Sequence, residues 1–142
     1  MTFPHIHLNH RFRVEIDGLT AQAFAEIILP EARADVVEYR EGNAALARKL
    51  PGHIHFSNLV LRRGLSESRE LSDWWQAVAA GQNSRRNITV VLIDHQGQEA
   101  RRWIMSDCWP TRYAVAPLIA IDDDAVVTET LECAVEGFES VK

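Results

Sequence analysis

"HIHFSNLVLRRGLSESRELSDWWQAVAAG", residues 53–81, is the stretch whose reading decides the fold. Its first part, 53–63, is rich in extended-chain formers and reads as a β-strand. Its second part changes period. Leu71, Trp74, Trp75 and Val78 fall at i, i+3, i+4 and i+7, which is one face of an α-helix. Ser66 is the expected N-cap, Glu67 and Glu70 sit in the positively polarised first turn, and Gly81 is a stop. The adjacent tryptophans are therefore expected in packing, with Leu71, Trp74, Trp75 and Val78 anchoring the helix on a core.

Outward from that stretch the chain reads almost entirely in period two. "RFRVEID" (11–17) puts Phe12, Val14 and Ile16 on one face and Arg11, Arg13, Glu15 and Asp17 on the other, a strand buried on one side. Further strands are expected over 24–29 and 36–41. "NAALARKLPG" (43–52) is short of strand formers and reads as a long loop. Beyond the helix, "RRNITVVLID" (85–94) and "EARRWIMSDCW" (99–109) flank the glycine turn "HQGQ" and predict a hairpin. A last strand is expected over 125–138. About seven strands and one helix predict a mainly β fold, a small barrel or sandwich with one flanking helix. A length of 142 residues with no repeat or linker suits one domain spanning 1–142.

Composition narrows the class. A formal charge of −5 argues against a free nucleic-acid binder. The longest apolar run, "AVAPLIAI" (114–121), falls well short of the ~20 residues of a membrane helix, so no stable membrane insertion is expected. The N-terminus lacks the apolar stretch of a secretory signal. Cys108 and Cys133 have no framework spacing and read as buried thiols of a protein made in a reducing cytoplasm.

Several constellations invite chemistry. His5 with His7, and His53 with His55, form H-x-H pairs, which on a strand place both imidazoles on one face, as a metal would need. A metal-dependent β-barrel enzyme built on His53 and His55 would want a carboxylate a few residues on. Leu59 and Val60 stand there instead, so no metal and no cofactor is expected. The run Asp122-Asp123-Asp124 lacks the alternating ligands and glycine of a calcium loop and reads as a polar turn. Arg62-Arg63, Arg85-Arg86 and Arg101-Arg102 could line a phosphate strip. Strand neighbours point to opposite faces, however, so ion pairing and a subunit interface are the two readings that remain. No nucleophile elbow or glycine-rich phosphate loop occurs, and no catalytic residue is expected.

Five blocks in order carry a resemblance: "FRVEIDGL" (12–19), "VEYREGN" (37–43), "KLPGHIHFSNLVLRRGLSESRELSDWW" (49–75), "RRNITVVLIDHQGQEARRWIMSDCWPTRY" (85–113) and "ETLECAVEGFE" (129–139). Together they resemble the inner tube proteins of contractile phage tails and of extracellular contractile injection systems. The resemblance implies a non-enzymatic structural subunit. It implies hexameric rings that stack into a tube inside a sheath, with DNA or protein cargo passing through the lumen. Partners would be further copies of the chain, the sheath protein, and baseplate, tube-initiator and cap proteins. Assembly would take place in a bacterial cytoplasm, the product being a virion tail or a released injection particle. The 42–53 segment corresponds to an extended loop reaching neighbouring subunits, with Arg40, Glu41, Gly42, Lys49, Leu50 and Pro51 as interface candidates. Residues 1–11 would be extended and contact the next ring. A tube-initiator ring at the baseplate of the same machine, and a secreted hexameric ring of a related apparatus, are the neighbouring alternatives.

Overall fold

The computed structural model describes residues 11–19, 24–43, 45–116 and 126–141. Nine strands and one helix occur among them: β1 (Arg11–Ile16), β2 (Glu26–Ile28), β3 (Ala32–Tyr39), β4 (Arg48–Phe56), β5 (Leu59–Gly64), α1 (Glu70–Ala79), β6 (Arg86–Ile93), β7 (Glu99–Ala116), β8 (Thr128–Ala134) and β9 (Gly137–Ser140). Seven strands share one hydrogen-bonded path, β1-β6-β7-β8-β5-β2, with β9 joined to β7, while β3 and β4 pair only with each other. Every pairing is antiparallel.

The path turns at β7. The first half of this 18-residue strand pairs with β6 and β9; the second half, from Trp109, pairs with β8. Between the halves Asp107 takes a left-handed backbone, φ 52°, held by its N–H donating to Asn87 Oδ1 at 3.1 Å. A short polar side chain tolerates that conformation better than a branched one would. Val14, Ile16, Ile88, Val90 and Met105 from one limb then meet Leu59, Leu61, Leu131 and Cys133 from the other in one buried cluster. The period-two patterns of the sequence become the two inner faces of a sandwich.

Helix α1 closes this core with Leu71 and Trp74, both buried. The Trp74 indole N–H donates to the Ser84 carbonyl at 2.9 Å, and the Arg86 guanidinium lies 5.6 Å from the ring centroid. Val78 is partly buried against the same cluster. Trp75 is half-buried and lies outside the cluster; the 100° step per residue carries it to the flank of the stripe that Leu71, Trp74 and Val78 define. Ser66 does not cap the helix. Its Oγ accepts the Ser68 N–H, and the helix begins only at Glu70, with Arg69 in the cap position and no side-chain cap bond. The acidic first-turn residues are Glu70 and Asp73, not Glu67. Gly81 does end the helix region, at φ +90°.

The six paired arginines are committed within the chain. Arg62 reaches Glu26 at 2.6 Å, Arg85 reaches Glu136 at 2.6 Å and Arg102 reaches Glu99 at 2.7 Å. Arg86 donates to the Asp17 carbonyl at 2.6 Å and Arg101 to Ser140 at 2.9 Å. Arg63 is buried and pairs with Glu129, which is itself 1% exposed and also accepts from the Tyr113 hydroxyl at 2.6 Å. The guanidinium of Arg63 lies over the Phe24 ring. Bonds inside the chain thus engage all six, four as ion pairs with glutamates and two, Arg86 and Arg101, as hydrogen bonds to uncharged oxygens.

Cys108 and Cys133 are buried free thiols. Burial pushes Cys108 up to about 12 and Cys133 higher still. The single strand expected over 125–138 is two strands, β8 and β9, separated where Glu136 N–H bonds the Ser106 carbonyl at 3.0 Å. No described helix is long and apolar enough to cross a membrane. His5, His7 and the Asp122–Asp124 run lie outside the described residues.

Candidate assembly interface

Strands β3 and β4 form an arm. All eight residues of β3 are exposed, and seven of the nine in β4. The segment expected as a loop over 42–53 is therefore strand from Arg48 onward, and its composition explains the miss. "NAALARK" lacks strand formers, and Pro51 has no N–H for a ladder. A two-stranded hairpin leaves each strand an open edge, the setting in which proline is tolerated in a strand. The strand expected over 53–63 is likewise cut in two. At Ser57 the chain leaves the arm and enters the sandwich: Ser57 N–H bonds the Glu31 carbonyl at 3.0 Å and Ser57 Oγ accepts the Glu31 N–H at 2.7 Å.

The register assigns the arm two faces, because cross-strand partners share a face. Ala32, Ala34 and Val36 lie with Phe56, Ile54 and Pro51 on one. This face is apolar until Glu38 opposite Lys49 near the tip. At its base Phe56 makes an edge-to-face contact with Phe138, centroids 6.5 Å apart. Arg33, Val37 and Tyr39 lie with His55, Leu50 and Arg48 on the other face, polar at the base, apolar at Val37 and Leu50, and ending on Tyr39 opposite Arg48. A register shift between Ala34 and Val36 sets Gly52 and His53 together against Asp35, a bulge in β4.

The interface candidates Arg40, Glu41 and Gly42 occupy the turn of this arm, and Lys49, Leu50 and Pro51 lie on β4; all six are exposed. The structure divides the latter three between the faces, Leu50 opposite Val37 and Pro51 opposite Val36. It also adds residues that sequence reasoning passed over: Val36, Val37, Tyr39, Leu46 and Ile54. With Leu50 these make six of the eleven large apolar side chains left exposed among the described residues. Val36 is 64% exposed and Ile54 58%. A signal was present, since Val36 and Val37 are consecutive and must point to both sides of a strand.

Such an arm is incomplete alone. An isolated two-stranded hairpin is at best marginally stable in water, and an apolar concentration of this kind marks a contact surface. The sandwich has open edges too, since β1 bonds only β6 and β2 only β5 among the described residues. Among the described residues no group of three or more His, Cys, Asp or Glu side chains is placed to hold a metal ion.

A family model described as "T4-like virus tail tube protein gp19" matches residues 8–139. The chain belongs to this tail tube family. Membership makes it a structural tube protein, and the fold agrees. The anti-feeding prophage tube-terminating cap contains a chain that is 19% identical with a TM-score of 0.84, the match covering 99% of this chain and 93% of that one. A chain of the sheath/tube terminator of the extracellular contractile injection system PVC is 24% identical with a TM-score of 0.84, covering 99% of each. Hcp1 from Flavobacterium johnsoniae shares the fold more distantly, at 10% identity and TM-score 0.60, covering 92% of this chain and 94% of that one. No curated protein sequence matches the chain.

Proposed function

We propose that this tail tube protein is the repeating wall subunit of a contractile tail or injection machine. It closes into hexameric rings that stack inside a sheath and enclose a channel for DNA or protein cargo. The observation that carries this reading is the arm, which displays apolar residues on both faces that no other described residue of the chain buries. Arg40, Glu41, Gly42, Lys49, Leu50 and Pro51 belong to the contact, together with Val36, Val37, Tyr39 and Ile54. Charge supports a second copy as the occupant. Residues 32–56 hold four basic and three acidic residues, so the arm contributes +1 to an overall −5 and leaves −6 on the rest. A mildly basic arm therefore meets an acidic body, and association weakens as salt screens it. Residues 1–11 add a contact between rings. The sheath and the baseplate and cap proteins are the remaining partners, assembled in the bacterial cytoplasm.

The test is negative-stain microscopy of the concentrated full chain beside Val36→Asp/Ile54→Asp. Annular particles of uniform bore are expected from the parent and single subunits from the variant. A parent chain that stays monomeric at every concentration, or a variant that assembles as the parent does, overturns the reading. A second reading, a ring at one end of the tube, draws on the resemblance to chains of a cap, a terminator and a baseplate. Rings that form but never stack would favour it.

A further inference from the structure

The arm carries one group that apolar packing leaves unused, the pair His53 and His55. Both are exposed, and their ring centroids are 6.4 Å apart with planes inclined at 55°. The bulge in β4 contributes to this arrangement by setting His53 against the same residue, Asp35, that His55 contacts. Gly52 is fitted to the bulge, since a Cβ there would stand 3.0 Å from Val37 Cγ2 and 3.3 Å from Asp35 Cβ. Asp35 Oδ2 lies 2.9 Å from His55 Nε2. When the ring N–H at Nε2 donates to this carboxylate, the tautomer is fixed and the Nδ1 lone pair is left free. That is the outer half of the carboxylate–histidine–metal arrangement seen around bound ions.

We infer that His53 and His55 chelate a borderline divalent transition-metal ion of the zinc, nickel and copper class, with Asp35 as the positioning residue for His55. Imidazole nitrogens suit that class and not magnesium or calcium, which take oxygen ligands. Metal–nitrogen bonds of about 2.0–2.1 Å would draw the two rings roughly 1 Å closer, a swing open to an exposed side chain. Two nitrogens leave the remaining coordination positions to water or to donors of a second copy. Any consequence for assembly rests on the arm being the subunit contact; the chelation itself does not.

The test is calorimetric titration of the full chain with zinc and with nickel chloride. The background is His5→Ala/His7→Ala, because the same spacing recurs there. Saturable binding of one ion per chain is expected, weakened at least tenfold by His53→Ala or by His55→Ala. Asp35→Asn should weaken it about 10- to 100-fold at an unchanged melting temperature, an effect that a purely structural role for Asp35 would not produce. Repeating the titration on Val36→Asp/Ile54→Asp separates the two readings, since a chain that fails to assemble should still bind the ion. Absence of saturable binding, equal binding by His53→Ala, or equal binding of magnesium overturns the inference.

Discussion

The sandwich and the arm are made of the same material, antiparallel strands of alternating polarity and mixed charge, yet they stand in opposite states. In the sandwich Val14, Ile16, Ile88 and Val90 face Leu59, Leu61 and Leu131 and lose their water. In the arm Val36, Val37, Leu50 and Ile54 face solvent. The difference lies in what stands opposite. The sandwich strands have a second limb, supplied by the turn of β7, and a helix; the arm leaves the body after Glu31 and returns at Ser57. A strand's face is therefore decided by topology and not by its own sequence, and an uncovered apolar face is an invitation to another molecule.

That contrast can be broken most severely from the sandwich side. Glu129→Ala would strand the buried Arg63 cation, whose Nη2 has no hydrogen-bond partner among the described residues. A loss of about 3–5 kcal/mol is expected, since removing one member of a buried pair leaves an uncompensated charge. Urea unfolding monitored by tryptophan fluorescence measures it. Trp74→Ala removes the helix anchor and its bond to Ser84, with an expected cost of roughly 3–5 kcal/mol, while Trp75→Ala, at the flank, should cost clearly less. Equal losses at the two tryptophans would place both in the core and contradict the packing described above.

High pH offers a milder probe. Burial holds Cys108 up at about 12, and Tyr113 stands at about 12 through burial and its bond to Glu129, against ordinary values of 9.0 and 10.0. Their folded forms keep protons that the unfolded chain releases. The stabilisation is complete below about pH 9 and declines as pH rises toward 12. Thermal melts across that window should show the fall, and neither thiol should react with an alkylating reagent at pH 8 until the chain unfolds. The smallest stability effect belongs to the arm. Val36→Asp should move the melting temperature of the isolated subunit by no more than about 0.5 kcal/mol equivalent, while reducing its tendency to assemble. A large drop in subunit stability would mean that Val36 is covered within its own chain.

The sequence was most informative where a residue's neighbours are local. The alternation of 11–17 and the hairpin around "HQGQ" reappear as β1 and the β6–β7 hairpin, and of the stripe Leu71, Trp74, Trp75 and Val78 all but Trp75 pack on the core from α1. It was least informative where pairing is imposed from outside. Arg48–Pro51 becomes strand only because β3 lies beside it. Two serine turns, at Ser66 and Ser68, delay the helix by several residues although Ser66 looks like a cap. Of the proposed contact, Arg40–Gly42 and Lys49–Pro51 came from resemblance alone, while Val36, Val37, Tyr39 and Ile54 were passed over, because burial in a separate molecule and burial in a core leave the same mark on a strand.

The turn of β7 has a mechanical consequence. One unbroken backbone of 18 residues runs through both layers of the sandwich and is hydrogen-bonded in each. A thrust or pull received by one layer thus passes to the other along covalent bonds instead of across a slippery contact of side chains. Asp107, left-handed at φ 52°, stands between the two halves of that strand, so any such load passes through its backbone.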